Sequence, residues 1–194
     1  VMLNLRKCGH KDLERYYSLL EMDFAKEEII SKLSLHRALL NGSAELLVVY
    51  DEESSLEVAY ALVLTKNLYG YVLLKYMAVL PWYRGKGVGI AAMRLINKRY
   101  ADRQGIIAEL TSFEDEDGSM IKGLRKFFAR FGYVVVDSDY RSGAPVELMV
   151  KPIKGTFEIE PVEHRIIRDF YTRILNPFAM DKMIDIRPVR KPEE

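Results

Sequence analysis

The chain has 194 residues, 49% of them hydrophobic, enough to bury one sizeable core. A formal net charge of +1 argues against a general nucleic-acid binder, and a single cysteine, Cys8, rules out an intrachain disulfide and fits a reducing, cytoplasmic setting. The longest apolar run, Tyr71–Leu80, is too short to span a bilayer and is interrupted by Lys75, and the opening residues lack the basic-then-apolar form of a signal peptide.

In chain order, Met2–Lys7 reads as a strand. Lys11–Met22 reads as a helix with Leu13, Tyr16, Tyr17 and Leu20 on one face. A second helix is expected over Lys26–Leu40, ending at Asn41-Gly42. Ala44–Tyr50 and Leu56–Thr65 read as a hairpin about the turn Asp51–Ser55. Tyr71–Leu80 is dense enough in apolar residues for a strand buried on both faces. A helix follows over Gly87–Ala101, with Val88, Ala91, Ala92, Leu95 and Ile96 as its apolar stripe. Ile106–Ser112 is a strand and Met120–Phe131 a helix, with Ile121, Leu124, Phe127, Phe128 and Phe131 inward and Gly132 as its C-terminal cap. Tyr133–Val136 and Val146–Val150 complete a sheet, separated by the turn Ser142-Gly143-Ala144-Pro145. Pro161–Leu175 is an amphipathic helix that Asn176-Pro177 stops, and Asp185–Glu194 reads as a polar, loose tail. That helix could pack on its own domain, cover a cleft or join two copies as a homodimer; intramolecular packing is the default, because an exposed apolar stripe is costly.

The chemistry concentrates in Tyr76–Gly89, where a buried strand meets a proline and then a glycine-rich loop that opens a helix. The first turn of a helix has N–H groups without intrahelical acceptors, and its dipole adds roughly +0.5 charge at that end. With Gly85, Gly87 and Gly89 exposing the backbone and Arg84 and Lys86 adding charge, the segment can cradle a phosphate or pyrophosphate. The bland alternative is a glycine-rich turn entering a helix.

Arg84-x-x-Gly87-x-Gly89, preceded by Met77-Ala78-Val79-Leu80-Pro81, resembles the acetyl-CoA signature of the GNAT superfamily of N-acetyltransferases. The resemblance covers residues 2–151 and sets apart 152–194 as a C-terminal extension. It implies an α/β (α+β) GNAT fold: a mixed, mainly antiparallel, splayed sheet flanked by helices. It implies that the backbone of Met77, Ala78 and Val79 pairs with the pantetheine arm of acetyl-CoA. The amides of Arg84, Gly85, Lys86, Gly87, Val88 and Gly89 would hold its pyrophosphate, and an N–H near Val79 would polarise the thioester. An acceptor amine then attacks directly. It must lose a proton, having a pKa of about 10, and general-base help is worth roughly 10²–10⁴ in rate.

Glu109, alone among apolar residues in Ile106–Leu110, is the candidate base; otherwise it faces solvent or pairs with a basic neighbour. One departure from the family pattern matters. The tyrosine that protonates the leaving thiolate in many members is matched here by Phe128, within Phe127-Phe128-Ala129-Arg130-Phe131-Gly132-Tyr133. Water or a tyrosine elsewhere, such as Tyr140, could serve instead.

The acidic run Glu114–Asp117 could attract a cationic acceptor, though such runs are mostly solvated loops. Three scattered histidines and one cysteine do not make a metal site. The resemblance leaves small-molecule and protein amines both open, with a small molecule favoured. Two rivals stand beside this reading. One is an acyl-CoA-binding regulatory module without catalysis, which Phe128 allows. The other is a dinucleotide-dependent oxidoreductase, since Gly87-x-Gly89-x-x-Ala92 with Glu109 further on fits that fingerprint. The loop's distance from its strand and the elements preceding it count against the second. A P-loop is unsupported, as no Gly-Lys-Ser/Thr ending exists.

Overall fold

The computed structural model describes residues 2–111, 118–136, 140–142, 144–155 and 165–186, with backbone alone for 140–145 and 181–186 within these ranges. The expected run Glu114–Asp117, the side chain of Tyr140 and the start of the helix at Pro161 lie outside what is described.

Strands β1 (Leu3–Cys8), β2 (Ala44–Asp51), β3 (Glu57–Leu64) and β4 (Tyr71–Val79) form an antiparallel series, and β4 then pairs in parallel with β5 (Gly105–Thr111). Strands β6 (Val134–Val136), β7 (Tyr140–Ser142) and β9 (Ile184–Ile186) join through β8 (Ala144–Pro152), which runs antiparallel to β5. The order is β1-β2-β3-β4-β5-β8-β7-β9, with β6 also on β8. The mixed, mainly antiparallel sheet expected from the resemblance is present.

Side chains alternate across the sheet and feed two apolar layers. On one face α1 (Leu13–Asp23) and α2 (Lys32–Leu40) pack Leu13, Tyr16, Leu20, Leu35 and Ala38 against Leu46, Leu62, Leu73 and Ile107. On the other, α3 (Val88–Arg99) and α4 (Ser119–Ala129) pack Met93, Ile96 and Phe128 against Val63, Leu74, Ile106 and Leu110. The α4 face holds because Ile121, Leu124, Phe127 and Phe128 recur at three- and four-residue spacing. Gly132, at φ +84°, ends it in the left-handed region that favours glycine.

Two expectations need correction. The helix expected over Lys26–Leu40 is broken: Lys26–Glu28 is one 3₁₀ turn, Ile29 is extended, and α2 begins only at Lys32. The reasons are local and tertiary. Ser31 caps α2 by accepting from the Ser34 N–H, and the Ile30 N–H donates to the Tyr76 hydroxyl 2.9 Å away rather than into a helix. The second correction concerns the chain beyond Asn176. That residue does not end the helical region but opens another helix, its side chain accepting from the Ala179 N–H at 2.8 Å, with Pro177 at a position where no N–H is needed. Asp185 and Ile186, expected in a loose tail, lie in β9 opposite Arg141 and Tyr140.

The two C-terminal helices, α5 (Ile167–Thr172) and α6 (Pro177–Met183), bring Ile166, Ile167, Phe170, Tyr171, Ile174, Leu175 and Met180 into the same apolar layer as α1 and α2. This chain segment therefore covers the sheet intramolecularly. At ~25 cal/mol per Å² of apolar surface, each such large side chain adds about 1.5–3 kcal/mol.

Candidate active site

The parallel ladder between β4 and β5 runs only from Tyr71↔Gly105 to Leu74↔Ala108. Beyond it β4 continues to Val79 paired to β3 alone, and β5 continues to Thr111 paired to β8 alone. The strands part, and a cavity of about 860 Å³ occupies the opening. It passes through the sheet. Met22, Asp23, Phe24, Ala25 and Glu28 line it from the α1 side, and Met120, Leu124 and Phe128 from the α4 side.

Lys75 and Glu109 are the first residues past the ladder on their strands. Lys75 is an extra residue in β4: Leu62 pairs with Tyr76 and Val63 with Leu74, so nothing in β3 faces Lys75. The bulge leaves Lys75 and Tyr76 on the same face, and Lys75 Nζ lies 5.5 Å from the centre of the Tyr171 ring. Lys75 Nζ donates to Glu109 Oε2 at 2.5 Å, and the Tyr171 hydroxyl donates to Glu109 Oε1 at 2.6 Å. The Lys75 and Glu109 side chains are 2% and 1% exposed. Of the alternatives weighed for Glu109, the structure shows the ion pair with a basic neighbour.

Glu28 ends the 3₁₀ turn between α1 and α2 and is 6% exposed. Its carbonyl accepts from the Tyr76 hydroxyl at 2.8 Å, which pins the turn to β4. Burial pushes its carboxyl up from the usual range, and repulsion from Glu109 adds to this, while a hydrogen bond with the Thr111 side chain and attraction to Lys75 oppose it. Sequence reading missed Glu28, because it took Lys26–Glu28 for the first turn of a long helix. The available signal was Ser31, a good N-cap three residues after Glu28.

At the far end of the opening, the Leu80 N–H donates to the Val58 carbonyl on β3. Neighbouring backbone groups in a strand point opposite ways, so the N–H and C=O of Val79 aim into the opening. That carbonyl accepts from Arg84 Nε at 2.9 Å, and the same guanidinium donates to Asp23 at 2.7 Å. Arg84 thus ties the loop to β4 and α1 instead of standing free at the rim, and its own N–H bonds the Pro81 carbonyl.

The glycines that follow have separate reasons. Gly85 and Gly87 have φ of +74° and +78°, with open space where a Cβ would be. At Gly89 a Cβ would rest 3.5 Å from Val79 Cγ2. Gly87 is the N-cap of α3, so the amides of Val88 and Gly89 have no intrahelical acceptor. The nine residues named for acetyl-CoA are not in one cavity. Met77, Ala78, Val79 and Arg84 line the opening between the strands. Lys86, Gly87 and Val88 border a neighbouring cavity of about 620 Å³ beside Leu3, Asp51 and Val58. Gly85 and Gly89 lie in the loop and first turn that connect them. This donor set fits a nucleotide-linked thioester: free amides at a helix start for the diphosphate, and a half-paired strand for an amide-bearing arm. Phe128 lines the opening beside Leu110 and Leu124, with no ionisable proton.

A sheet whose two central strands part beside a glycine-rich helix entry is the arrangement here, and the comparisons place it among acetyltransferase-like folds. Residues 42–135, from before β2 into β6, match the family model of the acetyltransferase (GNAT) domain. No curated protein matches the chain by sequence. Among solved structures, a GNAT-family protein from Bacteroides thetaiotaomicron is similar at a TM-score of 0.63 and 19% identity, over 81% of this chain and 89% of that one. Spermidine N-acetyltransferase from Vibrio cholerae aligns at a TM-score of 0.60 and 12% identity, over 78% and 94% of the two chains. Arabidopsis thaliana NAA60, solved in complex with acetyl-CoA, aligns at 0.59 and 14%, over 79% and 100%. At these identities the likeness is one of fold. Among the described residues no helix is long and apolar enough to cross a membrane. The dinucleotide alternative loses its support, since among the described strands only β4 and β5 pair in parallel and Glu109, its ribose candidate, is locked to Lys75.

Proposed function

We propose that the protein is an N-acetyltransferase that moves the acetyl group of acetyl-CoA to a primary amine by direct attack, in the cytoplasm and on a small molecule. The observation that carries this is the opening between β4 and β5, continuous with the loop that caps α3 at Gly87. Acetyl-CoA supplies an activated acetyl thioester. Met77, Ala78 and Val79 present a strand edge to its arm, and the amides from Gly85 to Gly89 face its diphosphate. The Val79 N–H is placed to bond the thioester carbonyl as negative charge grows on it, an interaction worth most where water is excluded. The acceptor enters from the α1 side, where Phe24, Ala25 and Glu28 line the cavity. Spermidine, the acceptor named for the Vibrio cholerae relative, makes amines the first class to screen.

Glu109 fits a supporting role. Both of its carboxylate oxygens are engaged, one by the Lys75 ammonium and the other by the Tyr171 hydroxyl, and it holds Lys75 and α5 against the opening. Calorimetric titration of the purified chain with acetyl-CoA and, separately, NADH tests the reading. Saturable binding of acetyl-CoA alone, followed by release of free thiol with an amine, supports it. Binding of NADH alone ends it, and acetyl-CoA binding without turnover of any amine points to a non-catalytic acyl-CoA module.

A further inference from the structure

We infer that Glu28, not Glu109, receives the ammonium group of the acceptor and takes its proton; this rests on the acetyltransferase reading above. The charges lining the opening decide it. Asp23 is paired with Arg84, and Glu109 with Lys75. Glu28 makes no ion pair among the described residues, and its side chain is held by Thr111. Among the described residues one acid is thus left over in a cavity whose other charges are paired, and an incoming ammonium supplies the missing cation. Glu28 also stands on the correct face. Glu109 and Thr111 alternate with Leu110 along β5, which puts both on the α1 side of the sheet with Glu28, opposite the α4 wall. The carbonyl and N–H bonds to Tyr76 fix this turn, so the carboxyl is presented by rigid backbone.

The step balances as follows. The Glu28 carboxylate accepts one proton from R–NH₃⁺. The nitrogen lone pair so freed forms the C–N bond to the acetyl carbon as the C–S bond breaks. The electron pair stays on sulfur with the second nitrogen proton, giving the thiol, and Glu28 returns its proton to solvent. Lys75 from β4 draws Glu28 toward ionisation, while Glu109 from β5 and Glu27 in its own turn oppose it, as does burial. A carboxyl raised in this way is better matched to an amine than one in the usual range is.

The test uses the full chain saturated with coenzyme A, with n-butylamine as a plain alkylammonium probe. Wild type should bind it. Glu28→Gln, which keeps shape and the Thr111 contact, should weaken binding by at least about tenfold while coenzyme A affinity stays the same. Melting provides a readout independent of turnover. The folded carboxyl is raised, so its ionisation costs stability as pH rises through the folded value, and nothing is lost below the unfolded one. Glu28→Gln should therefore melt higher than wild type at pH 7, with the gain gone below about pH 4. Equal butylamine binding by the variant, no binding by the loaded wild type, or a variant less stable at pH 7 would overturn the assignment. Failure of wild type to bind coenzyme A would instead break the acetyltransferase reading itself.

Discussion

Strands β4 and β5 behave in two ways along their length. From Tyr71 to Leu74 they form a ladder walled by side chains such as Leu73, Ile106 and Ile107, all fully buried. From Lys75 and Glu109 onward they share no ladder, and polar groups take over: an ion pair, a tyrosine hydroxyl, a lone carboxyl and an exposed strand edge. The first half is held by packing, which is local and tolerant. The second is held by long-range polar contacts that must be complete to be stable, because a buried charge without its partner is costly. Stability therefore concentrates at the closed end and chemistry at the open one, with Lys75–Glu109 as the joint.

The joint is the place to break this division. Lys75→Met leaves Glu109 buried without its cation and should cost about 3–5 kcal/mol in denaturant unfolding; adding Glu109→Leu should restore most of it. If the double variant stays as unstable as the single one, the pair is not a self-contained unit. At the closed end, Ile107→Ala should cost about 2–5 kcal/mol by cavity formation and leave coenzyme A affinity unchanged. A loss of affinity there would show that the two ends are not separable. Tyr171→Phe removes one bond to a charged carboxylate and should lower stability by about 1.5–3 kcal/mol, read from urea midpoints. Smallest in stability is Gly87→Ala, which strains a left-handed residue by about 1–2 kcal/mol. Gly132→Ala carries a similar strain away from the cavities, so only the Gly87 variant should also lose coenzyme A affinity in calorimetry.

The fold and the glycine-rich loop were legible because their signals are local. Alternation and spacing place Leu13, Tyr16, Leu20 and the α3 and α4 stripes, and proline and glycine mark the entry to α3. The centre of the site was only half legible. Lys75 and Glu109 are single charges of opposite sign in two apolar runs, which flags both, but their contact joins residues 34 apart in sequence. Tyr171 reads equally well as an apolar face residue, and its hydroxyl's partner lies 62 positions away. Glu28 was hidden by helical propensity: the run from Lys26 to Leu40 has no glycine or proline, Ser31 is its one local sign of a break, and the bonds of Ile30 and Glu28 to Tyr76 are tertiary.

The reach from Glu109 to Tyr171 also sets a clock. A ribosome adds about 5–20 residues each second, so some 3–12 seconds separate the making of the carboxylate from the making of the hydroxyl that completes it. Throughout that interval strands β1 to β4, the glycine loop and Lys75 already exist, while the sheet's α1 face still lacks Ile167, Phe170 and Tyr171. The nascent chain therefore carries the glycine loop and the lysine of the ion pair before it has the segment that covers that pair.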